Sequence, residues 1–204
     1  MEMHNQDKLN QYLDAGKVYR RSEVAHFTTA VDRDLASLVK EGSLEKVGPG
    51  LYYKPRQSRY GALPPDHVAL VKAFLRDEFF LVYSWNEYNK LGLGLTQLYN
   101  RMVVYNRKRH GVFKLGHQEY DFRCVSRGFP ENLTLEFLLV DLLNNLKELD
   151  EDPKQVKRNI KKSIDSYNMN LVMKNAKLYG KVATKKFLER VCHGHEKAFH
   201  SRAA

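Results

Sequence analysis

Thr29, Arg33, Ser37 and Lys40 recur every three or four residues in a 204-residue chain, so a helix over this stretch places them on one face. These are side chains that grip DNA. An arginine can read a guanine edge with two hydrogen bonds, while hydroxyls and ammonium groups bind phosphate. Arg20, Arg21 and Thr28 lie just upstream of this face, and Lys46, Tyr52, Lys54 and Arg56 just downstream. A second set is almost purely basic: Arg107, Lys108 and Arg109, then Lys154, Lys157, Arg158, Lys161, Lys162, Lys185 and Lys186. Such residues suit contacts with a nucleic-acid backbone or an acidic partner.

Other constellations carry less chemistry. Glu119 and Asp121 share a face of an alternating strand near Lys114, the residue types with which a metal-dependent nuclease holds its cation. The solvated face of an antiparallel strand accounts for them equally well. Cys192-His193-Gly194-His195, with His200 beyond, offers zinc donors, but no Cys-x-x-Cys pair accompanies them. Gly92 and Gly94 precede Leu95-Thr96 rather than a Lys-Ser/Thr pair, and no serine sits in a nucleophile-elbow pattern. Tyr83, Trp85 and Tyr88 read as core and rim of a small domain rather than as a base-stacking platform. Asn132-Leu133-Thr134 is a chance glycosylation sequon. No metal, no cofactor and no catalytic residue is expected, and the chain reads as a non-enzyme.

The elements that must position the DNA-contacting face follow from patterning. Leu9, Tyr12 and Leu13 stripe a helix over Gln6–Ala15, stopped by Gly16. Lys17-Val18-Tyr19 is extended. Ser22 is a candidate cap for a short helix carrying Val24, Ala25 and Phe27, and Thr28 or Thr29 for the next. That next helix buries Val31, Leu35, Leu38 and Val39 and ends at Gly42. Leu44–Val47 and Leu51–Lys54 flank Gly48-Pro49-Gly50 as a hairpin. Helix, strand, helix, helix, hairpin is the order of a winged helix-turn-helix, whose second paired helix enters the major groove. A turn-rich junction at Tyr60–Asp66 marks a boundary. Beyond it come helices after Asp66 and Ser84, and three strands near 102–105, 112–115 and 120–125 that read as an antiparallel meander. A leucine-rich helix spans Thr134–Leu149, then a basic-faced helix carries Val156, Ile160, Ile164 and Tyr167, and short helices lie near Leu171–Leu178 and Lys181–Val191. The expected fold is α+β: a winged helix-turn-helix over 1–57 and a mixed domain over 58–204 whose end, 154–204, is basic and helical.

Charge adds a constraint. The chain carries 34 Lys+Arg against 24 Asp+Glu, a net +10 that favours a polyanionic partner. Residues 1–59 contribute only +2, residues 60–153 contribute −2, and residues 154–204 contribute +10. Asp32 and Asp34 also lie on the presumed recognition helix, where phosphate repels them. Both facts fit a winged helix used for protein contacts alone. No apolar run approaches the ~20 residues a bilayer requires. No signal peptide is evident, and two cysteines build no disulfide scaffold, so a reduced cytoplasmic protein is expected.

Two stretches together resemble the AbiEi family, the antitoxins of type IV toxin–antitoxin systems. The first joins Val18-Tyr19-Arg20-Arg21-Ser22-Glu23-Val24, Leu35–Gly42 and Val47-Gly48-Pro49-Gly50-Leu51-Tyr52-Tyr53-Lys54-Pro55. The second joins Tyr60-Gly61, Pro64-Pro65, Leu91-Gly92-Leu93 and Leu95-Thr96-Gln97, with a basic segment Arg101–Arg109 after it. The family's Leu-Gly-Leu-Thr-Thr-Gln run is one residue out of step here, and Tyr99 stands where it has proline. The likeness covers roughly residues 5–145. It implies a winged helix that binds inverted repeats in the operator of its own operon and represses it, and a C-terminal α/β domain that counteracts a nucleotidyltransferase-type toxin without requiring a stable complex. Two copies are expected on paired half-sites, each a monomer or weakly associated in solution and binding DNA cooperatively. Two alternatives stand beside it: a small DNA-targeted nuclease or nucleotidyltransferase-like enzyme, and a plain repressor with no toxin partner.

Overall fold

Along the short strands β1 (Val18–Arg20) and β3 (Leu51–Tyr53), successive side chains point to opposite faces, and both faces are covered. The computed structural model describes residues 5–202, and side chains from Leu9 to His193. β1 pairs with β3, placing Tyr19 opposite Tyr52, and β3 pairs with β2 (Glu45–Gly48), giving an antiparallel sheet in the order β1-β3-β2. One face receives Tyr19 and Tyr52. It lies against α1 (Asn5–Tyr12), α2 (Arg21–Val24) and α3 (Val31–Lys40), around Leu9, Leu13, Val24, Val31, Leu35, Leu38 and Leu44. This is the expected winged helix-turn-helix order.

Local details differ from the sequence reading. Ser22 lies inside α2; the Glu23 carboxylate accepts from the Arg20 amide (2.8 Å) at its start instead. Phe27 is half exposed and stacks on Tyr12 (5.5 Å) rather than entering the core. The residue flanking α3 is Ala30, and neither threonine caps it.

The junction after the winged helix holds an antiparallel ribbon, β4 (Arg56–Ser58) and β5 (Gly61–Leu63), turned by Arg59-Tyr60. Next comes α4 (His67–Leu75), with the Asp66 carboxylate accepting from Ala69 N (2.8 Å). Four further strands follow: β6 (Leu81–Ser84), β7 (Met102–Asn106), β8 (Gly111–Leu115) and β9 (Gln118–Cys124), in the order β6-β7-β9-β8. The expected meander is corrected here: β8 pairs with β9, but β7 pairs with β9 in parallel. The Arg107–His110 turn explains this. Buried Asn106 accepts from Lys108 N and Arg109 N (2.8 and 2.7 Å) and donates to Arg109 O (3.0 Å), building a wide turn that steps past one strand position, ~10 Å at sheet spacing. The β8–β9 turn is tight, with Gly116 at φ 59, where a side chain is strained.

The second face of the β1-β3-β2 sheet carries Val47, Leu51 and Tyr53. These join Leu70, Val71, Phe74 and Leu75 of α4 and Val104, Leu115, Tyr120 and Phe122 of the second sheet in one core. Contacts therefore group the chain up to Val82 with Arg101–Cys124, and Tyr83–Asn100 with the chain from Val125 onward. The grouping does not follow a cut after residue 57, because the hairpin has two apolar faces and only one is covered by α1–α3.

The second unit is helical: a 3-10 stretch Trp85–Leu91, then α5 (Leu135–Asn145), α6 (Pro153–Ser163), α7 (Met169–Tyr179) and α8 (Val182–Arg202). Thr134, Asp152 and Asn168 cap α5, α6 and α7 through their side-chain oxygens. α6 is shorter than its apolar stripe implies, because a 3-10 turn at Ile164–Ser166 ends it and turns Tyr167 to donate to Leu91 O (2.7 Å). α8 runs past Val191, where the sequence reading ended it. Among the described residues no helix is long and apolar enough to cross a membrane.

Leu51 is fully buried in the core beneath the sheet. Leu51→Ala is expected to lower stability by about 2–5 kcal/mol in urea denaturation. Val182→Ala, at a residue 70% exposed, is expected to change it by less than about 0.5 kcal/mol.

Candidate nucleic-acid interface

α3 presents the face that the sequence assigns to DNA. Val31, Leu35 and Leu38 are buried, and Arg33 on the opposite side is 77% exposed at its side chain. Thr29 and Lys40 are exposed; neither side chain has a hydrogen bond or ion pair among the described residues. Ser37 is half buried and donates to Glu41 (3.0 Å).

The two acids of α3 do not present free charge on that face. Asp34 is buried, accepts from the Thr28 hydroxyl (2.6 Å) and lies 3.5 Å from Arg33 Nε. Asp32 accepts from Arg21 Nε and Nη2 at 2.6 and 2.5 Å, a fork-to-carboxylate pair. The hydrogen bond from Arg21 holds the Asp32 carboxyl below its usual range, and the same bond raises Arg21. Arg21 N also donates to Gly50 O (2.9 Å), so the pair sits beside the wing turn.

Strand alternation sorts the remaining candidates. Arg20 shares the side of Val18, and its Nε donates to Ala73 O on α4 (2.9 Å), so it braces the interior instead of facing DNA. Thr28 turns inward, accepting from Ala30 N (3.1 Å) while it holds Asp34. Tyr52 is half buried toward α1–α3. Lys54 donates to Asn10 O and Leu13 O (2.5 and 2.7 Å), spending its charge on the carbonyl end of α1. Lys46 and Arg56 are exposed, and among the described residues their side chains make no hydrogen bond or ion pair. The wing itself is short, and Gly116 N donates to Val47 O (2.7 Å) on its outer edge.

The basic turn after β7 is exposed, and its side chains are braced by neighbours. Arg107 lies over the Phe79 ring (4.5 Å) and Arg109 over Phe74 (4.6 Å). Lys108 donates to Arg76 O (2.9 Å) and pairs with Asp77 (3.1 Å), holding the C-terminal end of α4. In the second unit, Lys154, Lys157, Arg158, Lys161 and Lys162 all lie exposed on α6. Lys157 sits 5.7 Å from the Phe187 ring, and Arg158 donates to Gln155 (2.6 Å). Lys186 is exposed and Lys185 half buried on α8.

The other constellations are held in place by neighbours. Arg123 donates to Asp121 (2.7 Å) and Arg101 to Glu119 (3.1 Å), so each acid faces an arginine. Tyr83 and Tyr88 are buried, and both hydroxyls donate to buried Asp141 (2.7 Å from Tyr88). Their rings offer bases no stacking surface. Cys192 is buried; His195 and His200 lie outside the residues whose side chains are described, and no group of three metal-binding side chains occurs among those that are. The Leu91–Gln97 segment is pinned from within the second unit. Asn159 donates to Leu93 O (2.8 Å), and the Glu151 carboxylate accepts from Thr96 N and Gln97 N (2.9 and 3.1 Å). Gly92 and Gly94, at φ 63 and 67, let it turn. That segment is scaffolding.

With this geometry in hand, the comparisons with known proteins add a fold. No family model matches the chain, and no curated protein matches it. Among solved structures it is similar to the crystal structure of the RV2827C protein from Mycobacterium tuberculosis, with a TM-score of 0.57, 12% identity, 91% of this chain covered and 74% of that one. At such low identity the likeness is one of fold alone.

The Arg21–Asp32 pair has a pH signature. Because the folded pKa of Asp32 is lowered, its contribution to stability holds above the ordinary carboxyl value of 3.8 and is lost as pH falls through the lowered one. A carboxyl NMR titration is expected to place Asp32 below 3.8 in the native chain and to return it toward that value in Arg21→Ala.

Proposed function

We propose that the chain is a DNA-binding antitoxin of a type IV toxin–antitoxin system. In this reading the winged helix represses the protein's own operon, and the part of the chain beyond it counteracts a nucleotidyltransferase-like toxin without a stable complex. It acts in the cytoplasm, as a monomer that binds paired half-sites of an inverted repeat cooperatively. One observation carries the DNA-binding part: α3 turns Arg33 and Lys40 outward while Asp34 is buried and Asp32 is neutralised by Arg21. The acids that argued for a winged helix without DNA are thus no obstacle. The antitoxin part rests on the two-stretch resemblance to the AbiEi family, and no catalytic role enters it.

Fluorescence anisotropy with the DNA upstream of the gene tests the first part. Arg33→Ala is expected to cost about 1–3 kcal/mol on the operator and little on scrambled DNA, whereas Lys161→Ala weakens both alike and lowers the salt slope by about one. Equal losses of preference in the two variants contradict the division of roles. Asp32→Asn, which removes a negative charge and releases Arg21, is expected to tighten binding to both duplexes, most at low salt. Rescue of cells from the neighbouring toxin tests the second part, and a chain that fails to rescue leaves a plain repressor.

A further inference from the structure

The ribbon β4–β5 sits two residues beyond the wing strand, and no element of the sequence reading called for it. Tyr60 at its turn is 84% exposed, the most exposed large hydrophobic side chain among those described, and Arg59 lies over its ring at 4.6 Å. Hydrogen bonds brace the turn. The Ser58 hydroxyl donates to Gly61 O (2.8 Å) and accepts from Tyr60 N (3.2 Å), while the Tyr53 hydroxyl donates to Leu63 O (2.9 Å) at the ribbon's base. A fixed platform for a solvent-facing arginine and tyrosine buries nothing of its own.

The charge around it is one-sided. From Lys46 to Pro65 the chain has no acidic residue and four basic ones, Lys46, Lys54, Arg56 and Arg59. Lys54 is consumed inside the fold, and the other three are exposed. Over residues 1–59 the balance is only +2, and this segment gives the winged helix exposed positive charge with no ion pair among the described residues. A narrow two-stranded ribbon with an arginine at its tip suits the minor groove, whose negative potential draws a guanidinium.

We infer that the β4–β5 ribbon is a second wing, placing Arg59 and Tyr60 against the minor groove and phosphate backbone of double-stranded DNA beside the site held by α3. The inference rests on the DNA-binding reading and adds to it the residues and the groove. Arg59 supplies charge and hydrogen bonds, and Tyr60 covers the sugar edge and keeps the guanidinium oriented.

The test is anisotropy with the full chain at several salt concentrations, using the upstream duplex and a scrambled duplex of equal length. The variants are Arg59→Ala, Tyr60→Ala and the double variant, with circular dichroism melting to show that each keeps the fold. Arg59→Ala is expected to weaken both duplexes about tenfold at low salt and to lower the salt slope by about one. The double variant is expected to lose hydroxyl-radical protection on one flank of the footprint and keep it under α3. If the native chain binds neither duplex, the DNA-binding reading fails and the second wing with it. If the native chain binds and the double variant matches it in affinity, salt slope and footprint, the second wing alone is overturned, and a ribbon that serves a protein partner gives that same result.

Discussion

Everything in the first unit depends on a small sheet that is buried on both faces. β1 and β3 are three residues each, yet Tyr19 and Tyr52 meet the helices while Leu51 and Tyr53 meet α4 and the second sheet. A period of two leaves each residue no choice of side. That rule explains why two residues that the sequence assigns to DNA point elsewhere. Arg20 falls on the side of Val18 and must find a partner on α4, and Tyr52 falls toward the helices. It also joins the winged helix to Arg101–Cys124, since a hairpin with two apolar faces is stable only when both are covered.

The electrostatics of the outward face of α3 follow a different logic from the composition. The +10 of the chain lies almost wholly in residues 154–204, which belong to the second unit. The winged helix is nearly balanced, so it must control where its few charges point. It does so with two local devices: a threonine that draws Asp34 into the interior and an arginine that occupies Asp32. Arg33 and Lys40 are left facing solvent, with Asp34 buried beneath Arg33. The basic triplet after β7 is exposed as well, but cation–π contacts and a helix end fix where its side chains lie.

Much of this was legible in the sequence. The order of the first six elements, the stripe Val31/Leu35/Leu38 and the helix starts at Asp66 and Ser84 all rest on local rules, and each stands in the structure. Non-local pairing was not legible. The parallel match of β7 with β9 depends on Asn106 shaping a wide turn, and nothing in the spacing of the strands encodes that. The β4–β5 ribbon was hidden because its strands are three residues long and carry no alternating apolar pattern to betray them. The engagement of Lys54 and Thr28 was hidden too, since their partners are backbone carbonyls and a buried acid.

The central claim is that DNA is read by the outward face of α3, not by the basic helices that dominate the charge. Amide chemical-shift mapping of the full chain on titration with the upstream duplex tests it directly. The account predicts the largest changes, saturating at one half-site per chain, at Arg33, Ser37 and Lys40. Changes confined to Lys154–Lys162 and α8, with α3 unmoved, contradict it.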